Sequence, residues 1–94
     1  MNLALTQSII IKDLKKIGTK ELREKGDWYF KGVVSFLGLS APQLDAYFKE
    51  QYRTTLSSLS PEEAIQLALL LLATPYFESK KVGILLLNKN ILDT

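Results

Sequence analysis

Apolar residues along this chain recur every three or four positions rather than every second one, and that spacing predicts helices. Leu5, Ile9, Ile10, Leu14 and Ile17 alternate with charged positions between Leu3 and Ile17, and Gly18 follows where a helix commonly ends on a left-handed glycine. Thr19 is placed to cap a short second helix. From Ala41 to Thr55, Leu44, Tyr47, Phe48 and Tyr52 lie on one side, with Asp45, Lys49, Glu50 and Arg53 on the other, an amphipathic helix. Between Glu62 and Ala73, Ile65 and the run Leu67 to Leu72 leave almost no polar stripe, which predicts a helix covered on most sides. A last helix over Tyr76 to Asn90 carries Glu78, Ser79, Lys80 and Lys81 in its first turns, then Val82 and Ile84 to Leu87. Its Gly83 marks a close approach of two helices. No segment alternates with hairpin dipeptides, so the fold class is all-α with about five helices.

The helix boundaries are punctuated. Ser40-Ala41-Pro42-Gln43 and Ser60-Pro61-Glu62-Glu63 both read as capping boxes, with proline in the first turn where its missing N–H is harmless. Thr74-Pro75 repeats the cap-then-proline device and places a tight corner at Thr74. The stretch from Phe36 to Leu39 is a glycine-bearing connector into the Ser40 cap.

With 94 residues the chain is read as a single domain, 1–94. It contains no cysteine and no histidine, which removes disulfides, thiolate nucleophiles, Ser-His and Cys-His dyads and the usual zinc spheres. No metal or cofactor is expected. The longest apolar runs fall far short of the ~20 residues that cross a bilayer, and the first residues lack the features of a signal peptide. Cytoplasm is the expected location. The net charge is +2, placed unevenly: residues 1–31 hold seven basic against four acidic side chains, the remainder five against six. That basic front is compatible with a phosphate backbone, although a solvated helix surface is the simpler account.

Trp28-Tyr29-Phe30-Lys31-Gly32, then Phe36-Leu37-Gly38-Leu39-Ser40-Ala41-Pro42, then Ser60-Pro61-Glu62-Glu63 opening an apolar helix, form an ordered set. Tyr76-Phe77-Glu78 and the helix through Gly83-Ile84-Leu85-Leu86-Leu87 complete it. In order and spacing this set resembles the DNA alkylation repair enzyme family, the HEAT-like repeat glycosylases that excise alkylated purines. The resemblance implies HEAT-like helical hairpins in a short α-solenoid whose concave face cradles duplex DNA. It covers the N-terminal part of a longer family fold, and the family's catalytic aspartate and tryptophans lie on later helices. No catalytic residue is assigned, Asp93 included, and base excision by this chain is left open.

The resemblance places Tyr29 near the DNA-facing surface, and Ser40 where some members carry glutamine. Read from the residues, Tyr29 serves equally as a core aromatic, and for Ser40 a plain cap is the simpler account. Lys31, Lys80 and Lys81 complete the candidate DNA-binding set. The two adjacent lysines sit near a helix N-terminus, where a cation is not favoured unless an anion joins it, although a solvated pair is the simpler account. Trp28, the one tryptophan, has the ring to stack on a base, but burial against the connector is the expectation. The paired acids Glu62 and Glu63 point about 100° apart on a helix and complement its dipole. The expected function is weak binding of duplex or damaged DNA by a catalytically incomplete repair-like protein. The alternative is a helical-repeat protein-protein interaction module without DNA activity. An uncovered apolar face at Ile84 to Leu87 and Ile91-Leu92 suggests a homodimer through the C-terminal helix.

Overall fold

The computed structural model describes residues 2–30 and 34–92, the side chains of Tyr29, Phe30, Ile91 and Leu92 excepted. Five α-helices follow in order: α1 (Leu3–Ile17), α2 (Lys20–Phe30), α3 (Ala41–Thr54), α4 (Pro61–Leu72) and α5 (Phe77–Leu92), with a 3-10 turn at Leu56–Ser58. No strand occurs among the described residues; Ser35 and Tyr76 form one isolated parallel bridge.

Asn2 opens α1, its side-chain oxygen accepting from the Leu5 N–H at 3.0 Å. At α3 and α4 both halves of each capping box are present, so two otherwise unpaired amides are satisfied at each start. The backbone N–H of Ser60 donates to the Glu63 carboxylate and holds its pKa below the usual carboxylate range. That contribution is present above the unfolded-state pKa and fades as the pH falls through the folded one. Ser60→Ala is expected to lower the unfolding free energy by about 1 kcal/mol, read by urea denaturation. An unchanged midpoint would mean that the α4 start frays freely.

Helices α4 and α5 form the central antiparallel hairpin. Leu71 faces Ser79, Leu72 faces Lys80, and a Cβ on Gly83 would stand 2.9 Å from the Ala68 carbonyl oxygen. Glycine is what lets these backbones come so near. Ala64, Leu67, Ala68 and Leu71, spaced at one and two turns, are buried against Val82 and Leu86 of α5 and Ile10 and Leu14 of α1. The Gln7 amide donates to the Leu70 carbonyl at 2.8 Å, and the Tyr47 hydroxyl to Asp13 at 2.9 Å, tying α1 to α4 and α3. Burial and that carboxylate together raise the pKa of Tyr47.

Four expectations are corrected. Helix α4 is not covered on most sides: Leu69 is 57% exposed and Ile65 37%, because α1 and α5 occupy its other faces. Thr74 does not cap α5; its hydroxyl donates back to the Leu71 carbonyl at 2.8 Å, and α5 starts only at Phe77. The delay arises because Ser35 clasps the corner, its N–H donating to Pro75 and its carbonyl accepting from Phe77. Gly18 is extended, not left-handed, with φ −62° and ψ 150°. Trp28 is 69% exposed. Helix α2 rests on the connector through its Leu22 and Gly26 side, with the Phe36 ring against Gly26, and Trp28 lies about 200° around the helix from Gly26.

Candidate functional site

Residues 34–40 lead into α3 across the start of α5, and one side chain, with backbone bonds at Ser35 and Gly38, holds them there. Glu78 is 1% exposed, and its carboxylate accepts three backbone N–H groups: Leu37 at 2.8 Å, Gly38 at 3.0 Å and Leu39 at 3.3 Å. These three amides have no helix or sheet partner, so the carboxylate takes the place of a strand edge. Gly38 makes this curvature possible with φ +91°. Its carbonyl then accepts from Thr19, which fastens the connector to the α1–α2 corner.

The clasp leaves an open cavity of about 560 Å³ between the start of α3 and the first turns of α5. Leu39, Ser40, Ala41, Leu44 and Asp45 form one wall; Phe77, Glu78, Lys81 and Leu85 form the other. That volume lies within the range of small-molecule sites, and the lining is mostly apolar with a few polar groups, as such sites are. The N-terminus of α3 is nearly closed as an anion site. Ser40 N–H and Gln43 N–H are paired within the capping box, Pro42 has no N–H, and Ala41 keeps the one free donor in that turn.

The candidate residues separate. Lys80 turns to the end of α4, where its ammonium donates to the Leu72 carbonyl at 2.7 Å and neutralises the negative pole of that helix. Lys81, one position on, faces the cavity and has neither hydrogen bond nor ion pair with any described residue. Ser40 and Lys81 are thus brought to one cavity, although the Ser40 hydroxyl already accepts from Gln43. Lys31 and the side chain of Tyr29 lie outside the described residues. Of the front-end cations, Lys12, Lys15 and Lys16 are exposed on α1, with Lys15 5.0 Å above the Tyr76 ring. At the C-terminal helix, Leu86 is core and Ile84 is 43% exposed, while the side chains of Ile91 and Leu92 lie outside the described residues.

Three residues at the cavity went unnoticed in the sequence as site elements. Phe77 is 43% exposed while its ring leans on Phe36 at 5.2 Å, and Asp45 is exposed on the opposite wall. Glu78 carried no local signal, because its partners lie 39 to 41 residues upstream. Among the described residues no group of three or more acidic side chains could hold a metal ion, and no helix is long and apolar enough to cross a membrane.

Packed helical hairpins define an all-α helical repeat-like fold, with an open, mostly apolar cavity between α3 and α5 edged by Lys81. The chain belongs to the DNA alkylation repair enzyme family, whose model matches residues 10–93. No curated protein and no solved structure matches it.

Proposed function

We propose that this chain contacts DNA as a repair-family protein, binding weakly and sensitively to salt, with Lys81 beside the Ser40 cavity as its principal phosphate contact. The observation that carries this reading is the Lys81 ammonium at the cavity, without a partner among the described residues, in a chain whose family acts on DNA. An unpaired, half-buried cation near the positive pole of α5 is electrostatically poor in the free protein and gains from any anion brought beside it. The exposed lysines of α1 add a diffuse attraction. The reading is one of binding rather than base excision. Glu78, the buried acid of the cavity, is engaged by three amides and cannot act as a base without releasing the connector.

Fluorescence-anisotropy titration of a duplex carrying an abasic-site mimic, at two salt concentrations, tests this. Affinity is expected to fall with salt, and Lys81→Glu to weaken it several-fold and flatten the salt slope by about one unit. Lys80→Met is expected to leave the slope unchanged, since its ammonium serves the α4 terminus. Absence of binding at low salt would overturn the reading.

One observation favours a second reading, a helical-repeat interaction module. Leu5 and Ile9 stand one turn apart and exposed on α1, as do Ile65 and Leu69 on α4. Such pairs suit an apolar partner surface. The dimer proposed through the C-terminal helix rests, among described side chains, chiefly on Ile84.

A further inference from the structure

The cavity between α3 and α5 has a composition that a run of duplex phosphates does not match. A duplex strand presents phosphates in sequence, and a face that tracks them needs several cations in a row. Here there is one, Lys81, with the Asp45 carboxylate on the facing wall and an apolar floor between them. The other acid, Glu78, is sealed by the connector amides. One anion, one hydrogen-bond donor and one flat apolar body is what this lining complements. The flat body has a natural neighbour in Phe77, whose ring is tilted 30° on Phe36 and still 43% exposed at the cavity edge. A ring braced on one side and open elsewhere is a stacking platform that loses little freedom on binding.

We infer that this cavity receives a single unpaired nucleotide: the base against Phe77, its phosphate at Lys81, and an N–H of the base donating to Asp45. The cavity volume of about 560 Å³ is ample for one nucleotide and too small for a base pair with its backbones. The site selects DNA in which a base has already left the stack, since unstacking is then no longer charged against binding. This rests on the DNA-contact reading above and adds to it the local structure that is recognised.

The test compares two duplexes of equal length by anisotropy, one fully paired and one with a single bulged thymidine, using the full chain. The bulged duplex is expected to bind about tenfold tighter, the scale of one base–aromatic stack. Phe77→Leu should abolish that preference while leaving affinity for the paired duplex unchanged. Since Phe77 also braces Phe36, Ala41→Trp serves as a second variant: it fills the cavity from an exposed position in the first turn of α3 and should erase the same preference. Equal affinity of the native chain for both duplexes overturns this inference and leaves the DNA reading standing. A preference that survives both variants also overturns it, by placing the bulge elsewhere. No binding to either duplex removes both.

Discussion

Glu78→Ala is expected to lower the unfolding free energy by about 3 kcal/mol, because two buried amides and one part-buried amide lose their acceptor at once. The N–H groups of Leu37, Gly38 and Leu39 all end on that carboxylate, in a place only 1% exposed at the acid itself. A buried donor without a partner costs about 1 to 3 kcal/mol, and water entering the vacated space would recover part of that for three. Glu78→Gln separates shape from charge. It keeps the volume but turns an NH2 toward at least one of these amides, so its loss should be smaller and still well above that of an exposed substitution. Urea denaturation followed by far-UV circular dichroism gives both values. Amide exchange at positions 37–39 supplies the local readout, and protection there should fall further than in α4. If both variants unfold within about 0.5 kcal/mol of the native chain, the usual range for substitutions at plain surface sites, the clasp is not a stabilising element.

What was legible in the sequence follows from how far each signal reaches along the chain. The capping boxes at Ser40 and Ser60 are complete within four residues, so serine, proline and Gln43 or Glu63 announce them without tertiary help. Helix α4 was legible as a helix but not in its exposure. Leucines in sequence give a period, while which face is covered depends on where α1 and α5 lie. Lys80 and Lys81 were indistinguishable as letters; the helix turn of about 100° between them sends one to the Leu72 carbonyl and the other to the cavity. Glu78 carries no local signal of its role, because its partners are brought to it only when the connector crosses α5. Thr74 failed for a related reason: the cap signal was local, but Ser35 from another segment occupies the corner. The site is therefore the least legible part of the molecule, since the contacts of its buried carboxylate join segments about 40 residues apart in sequence.

Gly18→Ala and Gly38→Ala are each expected to destabilise by about 3 kcal/mol, the upper end of the overpacking range, and for different reasons. Gly18 has ordinary extended backbone, so an alanine there meets no conformational penalty. The loss is steric: its Cβ would fall 1.7 Å from the Leu37 carbonyl oxygen, and that oxygen belongs to backbone whose neighbouring amides are fixed by Glu78. Relief requires the connector to lift from the α1–α2 corner. Gly38 adds a conformational term to a steric one, because φ is +91° and a Cβ would stand 2.2 Å from the Thr19 carbonyl oxygen. Both side chains would enter the same seam, which the hydrogen bond from Thr19 to Gly38 closes. The double variant should therefore lose less than the two single losses combined, since one displacement of the connector relieves both clashes. Urea midpoints with unchanged m-values measure all three. Fully additive losses would mean that the connector deforms separately at each glycine, and would contradict its description as one segment fastened at Thr19 and Glu78. Sub-additive losses, with the seam opened, should also remove any preference for bulged DNA, because Leu39 and Ser40 at the cavity wall move with the connector.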